Sequence, residues 1–244
     1  MPLSVGDTVH VPRRLLGVDE NGISPFHTTT IRERQDRSVR VDKPDGTLSD
    51  LISSKMVWSE YGILIIRIGD FNEDHLLDPL ATSIYNYSKM LLSPDSVRLV
   101  ELRTKIEFDT LWAQHHGMCQ QLVIVGHGTK QSLIFGNDEV SAASFAEMIE
   151  RPNPSKKEIL SLACNTGYAG FSQTLSRSQA VSHCVAPFHK VHGCVGSLFA
   201  STFLHERLLA FHSPKTAFKH ARADLIGAIS FRLWENGKLT AGQN

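Results

Sequence analysis

One segment constrains the fold of this chain more than any other. Residues 62–69 read GILIIRIG and are apolar or β-branched at almost every position. A strand with one face in water alternates polar and apolar residues, whereas a strand covered on both faces does not. The segment therefore predicts a central strand of a parallel sheet that has helices on both faces.

Strand-like and helix-like segments alternate after this strand. The strand patterns cover residues 97–102, 121–125, 132–135, 158–162 and 180–186, and the helical patterns cover residues 76–92, 106–116, 198–211 and 217–233. Ser144 and Glu147 have the spacing of a helix-capping box, which predicts a further short helix there. Right-handed crossovers would join these strands into one mostly parallel sheet. We therefore expect an α/β domain over residues 61–244.

The first sixty residues follow a different pattern. Short β-rich runs at 8–11, 26–31 and 38–41 are separated by turn-forming stretches, and no helical period is present. The runs resemble strands of SH3-like barrels. Residues 1–60 are therefore predicted to form a small all-β barrel that precedes the α/β domain and serves as structural cover or as a protein-contact surface.

Composition argues against several classes of function. The 244 residues include 25 Lys and Arg against 25 Asp and Glu, so the net charge is zero and no direct nucleic-acid partner is expected. No segment approaches the ~20 apolar residues of a membrane span, and the first residues lack the pattern of a secretory leader. We expect a cytoplasmic protein with no membrane partner.

Two of the predicted strands end in residues that carry chemistry. The strand at 121–125 is followed by the sequence GHG (126–128), and the strand at 158–162 is followed by ACNTG (163–167). Ligands of open α/β sheets bind beyond the carboxyl ends of the strands. If these two strands are neighbours, ~4.8 Å apart, the imidazole of His127 and the thiol of Cys164 can meet.

Such a pair favours nucleophilic catalysis by a thiolate. A helix that begins at Cys164 would favour the thiolate through its dipole, and an imidazole stabilises the thiolate or donates a proton to a leaving amine. The backbone N–H groups of Gly128 and Cys164 are candidates for an oxyanion hole. This chemistry requires neither a metal nor an organic cofactor, and none is predicted.

The two motifs resemble the His-Gly and Ala-Cys-x-Thr-Gly signatures of the CHAT branch of the caspase-like cysteine peptidases. The likeness extends over roughly residues 62–235 and includes similar closing segments near 185–188 and 217–222. It implies a caspase-like sheet and a His127/Cys164 dyad that cleaves a specific protein substrate through an acyl-enzyme. It also suggests control by a regulatory protein partner or ligand, within a bacterial defence or cell-death system.

The chain departs from the arginine-cutting relatives of this family at one position. Those relatives carry an acidic residue two positions before the cysteine, where this chain has Leu162. Asp70, His189 and His192 follow predicted strands and are candidates for the substrate pocket, although Asp70 is more often a surface or cap residue in such a place. A catalytically inactive caspase-like scaffold that acts as a protein-interaction module is the alternative function.

Four residues of metal-binding type also lie close together in the sequence. They are Cys184, His189, His192 and Cys194. Their spacing, Cys-x4-His-x2-His-x-Cys, matches none of the common structural zinc patterns. Surface and core roles are therefore expected for them.

Overall fold

The chain begins with a small antiparallel sheet. The computed structural model describes residues 3–18, 25–69, 74–152, 155–223 and 225–243. The first four strands pair in chain order: β1 (Thr8–Pro12), β2 (Phe26–Gln35), β3 (Ser38–Val41) and β4 (Ile52–Ser53). The chain then returns to β1 through a backbone bridge between His10 and Trp58, which curls the sheet. The sheet encloses its own small apolar core, which includes Val9, Val39 and Val41.

The rest of the chain alternates strands and helices, as predicted. In chain order these elements are β5 (Ile63–Ile68), α1 (Asp74–Leu91), β6 (Val97–Leu102), α2 (Lys105–His115), β7 (Gln121–Val125), β8 (His127–Gly128), β9 (Ser132–Phe135), β10 (Asp138–Ser141), α3 (Ala142–Glu150), β11 (Lys157–Ser161), β12 (Val181–Pro187), α4 (Gly193–Leu208), α5 (Pro214–Arg222), β13 (Phe231–Glu235) and β14 (Lys238–Ala241).

Seven of these strands form the central sheet, in the order β14-β13-β12-β11-β7-β5-β6. The five strands from β12 to β6 are parallel, and β13 and β14 extend the sheet with antiparallel pairing. Every residue of β5 is buried. Its one charged residue, Arg67, pairs with Asp78 of α1 at 2.7 Å. The mostly parallel sheet predicted from the sequence is confirmed.

Two apolar cores cover the faces of this sheet. Ile63 and Ile65 of β5 face α1, α4 and α5, whereas Leu64 and Ile66 face α2 and α3. Successive side chains of a strand point to opposite faces, so an unbroken apolar run is needed to fill both cores. Each large apolar side chain buried in this way contributes about 1.5–3 kcal/mol.

Two sequence predictions about helices are wrong. Residues 217–233 are not one helix, because α5 ends at Arg222, Gly227 takes a left-handed φ of 92°, and Phe231 begins β13, which pairs with β12. Helix α3 begins at Ala142 rather than near Ser144, because the hydroxyl of Ser141 accepts the N–H of Ser144 and caps the helix. In the described part of the chain, no helix combines the length and apolar character required to cross a membrane.

The small sheet packs against the large one through an aromatic contact. Phe26, the first residue of β2, is 4% exposed and belongs to the core of the large sheet. Its ring lies 4.7 Å from the rings of Trp58 and Tyr61 and 5.4 Å from the ring of Phe211. The guanidinium of Arg14 also contacts Phe211 and lies 4.1 Å from the centre of its ring.

Candidate active site

The carboxyl ends of β7 and β11 bring the two sequence motifs side by side. These strands are parallel neighbours, with Ile124 in register with Ser161. The N–H of Leu162 donates to the carbonyl of Ile124 at 2.8 Å, which continues the pairing past the end of β11. His127 lies three residues beyond Ile124, and Cys164 lies three residues beyond Ser161. The two residues therefore occupy corresponding positions beyond the same edge of the sheet.

The backbone that follows His127 touches the turn that carries Cys164. A Cβ atom at Gly128 would lie 2.5 Å from Cγ2 of Thr166 and 3.0 Å from the carbonyl oxygen of Cys164. Any residue other than glycine would force the two segments apart at this point. Gly128, the second glycine of the GHG motif, is therefore needed for the close approach of the two motifs.

Hydrogen bonds fix the turn around Cys164. The carbonyl of Ala163 accepts both the N–H of Thr166, at 3.4 Å, and its hydroxyl, at 2.7 Å. Thr166 is fully buried, and its hydroxyl also lies 2.9 Å from that of Ser161. Asn165 has a left-handed φ of 65°, which asparagine adopts more readily than most residues. Cys164 is thus held in a tight turn with its side chain half-buried.

No helix begins at Cys164, contrary to the sequence argument. A short π-helical turn, Ala169–Gln173, starts five residues later. The intervening backbone is tied to β12 instead, because the N–H of Gly167 donates to the carbonyl of Pro187 at 2.8 Å. The indole of Trp234 in β13 donates to the carbonyl of Gly167 at 3.0 Å. The dipole expected from a helix that begins at Cys164 is therefore missing.

His127 and Cys164 line one cleft of about 720 Å³ between α1 and α4. The surface of this cleft is mainly apolar, and none of the described residues that line it is Asp, Glu, Lys or Arg. The aliphatic lining residues are Leu76, Leu77, Pro79, Leu80, Leu162, Val191 and Leu198. The cleft is thus suited to an apolar side chain beside the thiol and the imidazole.

The cleft wall carries one further residue that the sequence predicts for the pocket and two that it does not. His192 is the predicted one, and His75 of α1 and Cys194 of α4 are the other two. His192 caps α4, and its Nδ1 atom accepts the N–H of Cys194 at 3.2 Å. His192 comes after a sheet strand and directly before a helix, and this order in the sequence indicates a place at the carboxyl edge of the sheet, where the cleft lies. His75 had no such signal.

Two other predicted pocket residues lie elsewhere or cannot be placed. His189 is exposed, its N–H donates to the hydroxyl of Ser230 at 2.8 Å, and it is not among the residues that line the cleft. Asp70 lies outside the described residues. The four Cys and His residues weighed as a zinc set do not form one group, because Cys184 is buried in the sheet core and Cys194 is exposed in the cleft.

A buried charge cluster lies at the opposite, amino-terminal end of the same strands. Glu158 of β11 accepts hydrogen bonds from Arg207 at 2.9 Å and Gln121 at 2.6 Å. Burial works to raise the pKa of Glu158, but Arg207 and the other donors hold that pKa at about 2. His183 lies 3.6 Å from this carboxylate, yet burial lowers the pKa of its imidazole to about 4, so it is neutral near pH 7.

The sequence matches no family model and no curated protein. The fold is similar to the X-ray structure of a secreted C11 cysteine protease from Bacteroides thetaiotaomicron, iotapain, with a TM-score of 0.51 and 8% sequence identity. The alignment covers 72% of this chain and 67% of that chain. At this identity the likeness shows the fold alone. It confirms the predicted caspase-like architecture, whereas the CHAT resemblance, the SH3-like character of the first sheet and the boundary near residue 60 stay predictions.

Proposed function

We propose that this chain is a cysteine endopeptidase in which Cys164 is the nucleophile and His127 is its acid–base partner. The observation that carries this proposal is the placement of both residues, three positions beyond a matched pair of neighbouring strands and on the wall of one cleft. The fold that the chain shares with a C11 cysteine protease supports the proposal.

The reaction follows from the roles of the two side chains. His127 accepts the proton of the Cys164 thiol, and the thiolate attacks the scissile carbonyl carbon to form a tetrahedral oxyanion. The C–N bond then breaks, and the His127 imidazolium donates its proton to the leaving amine. A thioester remains on Cys164. Water deprotonated by His127 attacks the thioester, releases the new carboxyl end and regenerates the thiol.

The backbone at Gly128 supports an oxyanion-binding role. The N–H of Thr129 donates to the carbonyl of Ser132 at 2.9 Å, so these two residues form a hydrogen-bonded pair of the β8–β9 ladder. Antiparallel ladders alternate hydrogen-bonded and non-hydrogen-bonded pairs, so the next pair, Gly128 and Leu133, belongs to the second kind. The Gly128 N–H then points away from β9. One such donor is worth roughly 3–4 kcal/mol to the transition state.

The cleft favours an apolar residue in the substrate. Its described lining has no acidic side chain that would bind arginine or lysine, and Leu162 occupies the position where arginine-cutting relatives carry an acid. We therefore propose a protein or peptide substrate with an aliphatic or aromatic side chain before the cut. Control by a protein partner or ligand in a defence or cell-death system is proposed on the CHAT resemblance.

Two cysteines in the same cleft provide a matched test. Peptides with Leu, Phe, Arg or Asp before the cut are incubated with the wild type, Cys164→Ala and Cys194→Ala proteins, with and without extract of the source cells as a source of activator. We expect Cys164→Ala to abolish cleavage of the apolar peptides and Cys194→Ala to retain it. Cleavage that persists in Cys164→Ala contradicts the proposal.

Thiol labelling distinguishes an enzyme from a scaffold. A Leu-containing peptide electrophile is expected to modify Cys164 faster than a free cysteine would react, and His127→Ala is expected to remove that advantage. Cys164 labelling at the rate of a free thiol, together with no cleavage by the wild type, favours the non-catalytic scaffold instead.

A further inference from the structure

Three metal-binding side chains converge far from the cleft. The Nδ1 atoms of His212 and His220 each lie 2.6 Å from Oε2 of Glu206. The ligand atoms of all three residues lie within 4.8 Å of one another, and no other set of three or more His, Cys, Asp or Glu side chains in the described ranges meets this condition. The residues are spaced six and eight positions apart, so no sequence motif marks them.

The backbone that carries these side chains is fixed by regular structure. Glu206 lies on α4, His220 lies on α5, and His212 lies in the short connection between the two helices. The N–H of His212 donates to the carbonyl of Glu206 at 2.9 Å, and the carbonyl of His212 accepts a hydrogen bond from Arg207. The two helices therefore hold the three side chains in place.

The approach of the two imidazoles suits an ion. Their ring planes are nearly perpendicular, at 89°, with centres 5.0 Å apart, and both rings direct Nδ1 at the same carboxylate oxygen. The side chain of Glu206 is 16% exposed, whereas those of His212 and His220 are 42% and 50% exposed. The carboxylate is thus sheltered, and the imidazole side of the cluster is open to solvent.

We propose that Glu206, His212 and His220 form a binding site for a divalent transition-metal ion, of which Zn²⁺ fits best. Two imidazoles and one carboxylate are a common zinc donor set, with water as the fourth ligand. Zinc bonds of ~2.0–2.2 Å require small rotations that separate the carboxylate oxygen from the two nitrogens. Before the ion binds, each Nδ1–H donates to the carboxylate; on binding, each imidazole gives up that Nδ1 proton, carries its remaining proton on Nε2 and offers the Nδ1 lone pair to the ion.

The site acts on α4 and α5 rather than on the proposed reaction. Glu206 lies fourteen residues along α4 from His192, which corresponds to ~21 Å at 1.5 Å per residue. An ion there joins the two helices and stabilises the folded chain in proportion to its occupancy. This inference does not depend on peptidase activity.

Zinc titration of site variants tests the proposal. The full-length Cys164→Ser/Cys194→Ser protein is used, so that the cleft thiols do not bind the metal, and ZnCl₂ is titrated calorimetrically. One equivalent is expected to bind. Glu206→Gln and His220→Gln are each expected to weaken zinc binding by ~10-fold or more. Mutating a residue that only hydrogen-bonds to a metal ligand already lowers metal affinity by about that factor. The control His115→Gln removes an imidazole of α2 and is expected to leave the affinity unchanged.

Thermal unfolding gives a second readout. Zn²⁺ is expected to raise the melting temperature of the parent protein and of His115→Gln, but not that of Glu206→Gln. Circular dichroism without metal establishes that each variant is folded. Absence of saturable zinc binding by the parent, or the same affinity in the folded parent and in both folded site variants, overturns the proposal.

Discussion

At Gly128, two backbone segments lie against each other with no space for a side chain. Gly128→Ala places a Cβ atom 2.5 Å from Cγ2 of the buried Thr166, so the turn around Cys164 must shift. A displacement of ~1 Å between reacting groups costs about 100-fold in rate. We expect kcat/KM for peptide cleavage to fall by about that factor, with a stability loss of ~1–3 kcal/mol from overpacking.

Gly117→Ala is the matched control for this change. A Cβ atom at Gly117 meets nothing within 4 Å. This glycine precedes the amino-terminal end of β7, whereas the cleft lies beyond its carboxyl end. Peptide cleavage by Gly117→Ala is expected to equal that of the wild type. If Gly128→Ala cleaves peptides as fast as Gly117→Ala does, the close approach at Gly128 has no catalytic role.

The buried imidazole of His183 makes stability depend on pH. The unfolded chain protonates this histidine near its usual pKa of 6.5, whereas the folded protein resists protonation down to about pH 4. The unfolded state therefore binds more protons in that window, and the free energy of unfolding decreases as the pH falls from 6.5 to 4. The pKa of Glu158, lowered from 4.5 to about 2, extends the decrease into stronger acid.

Urea unfolding at several pH values measures this dependence. His183→Gln is expected to flatten the profile between pH 6.5 and 4, whatever its effect on stability at pH 7. His115→Gln, which removes a partly exposed histidine elsewhere in the chain, serves as the control for the loss of an imidazole. An unchanged slope in His183→Gln would show that this imidazole does not titrate differently on folding.

Single residues of the site differ in how far the sequence could predict them. His127 and Cys164 follow apolar strands and sit in short motifs, so local patterns identify both. The cleft positions of His75 and Cys194 depend on how α1 and α4 pack beyond the sheet, which no local pattern encodes. The helix-dipole argument for Cys164 failed because Gly167 is bonded to β12, a contact between residues twenty positions apart.

At the level of elements, a buried ion pair fixes the start of β11. Lys157 is fully buried, pairs with Glu60 from the chain before β5, and donates to the carbonyls of His116 and Cys119 at 2.6 and 2.7 Å. The Glu60 carboxylate balances an ammonium that has little access to water. The pair thereby joins the segment that follows the small sheet to the large one.

A double-mutant cycle measures this pair. Glu60→Gln is expected to lower the free energy of unfolding by about 3 kcal/mol, because it leaves the Lys157 charge buried without a counter-charge. Adding Lys157→Met is expected to recover part of this loss, since the double variant has no unpaired buried charge. Urea unfolding of the four proteins gives the coupling energy. Losses that simply add would show that the pair contributes nothing beyond its separate members.

Elements were predictable where their pattern is local. The apolar run of β5 and the helical spacing of α1 and α2 identify these elements from sequence alone. The pattern over residues 217–233 wrongly predicts one helix, because Phe218, Ala221 and Leu225 keep a helical spacing up to the left-handed Gly227. What makes Phe231 a strand residue is its pairing with Pro187 of β12, a partner far away in the sequence.

For the whole molecule, the mostly parallel sheet predicted from the sequence is confirmed, the division into two units near residue 60 stays a prediction, and no sequence pattern predicts how the two sheets meet. The contact depends on Phe26, which opens a strand of the small sheet yet belongs to the core of the large one. It packs on Phe211, which lies in the turn that follows α4. Residues almost two hundred positions apart form this contact, so hydrophobic periodicity cannot reveal it.

Phe26→Ala is expected to weaken this contact without unfolding the large sheet. Loss of a buried phenylalanine costs about 3–5 kcal/mol, and here most of that loss falls on the packing between the two sheets. Amide hydrogen exchange should therefore accelerate in β1, β2 and β3 while β5 and β7 stay protected. In the variant, the small sheet can open locally without breaking the packing of the Phe26 ring on the large sheet. Arg14→Ala removes the cation above Phe211 and a hydrogen bond to Ala210 at 3.2 Å, and should give a smaller change in the same strands. Equal acceleration in both sheets would instead mean that they unfold as one cooperative unit, with Phe26 acting as an ordinary core residue of that unit.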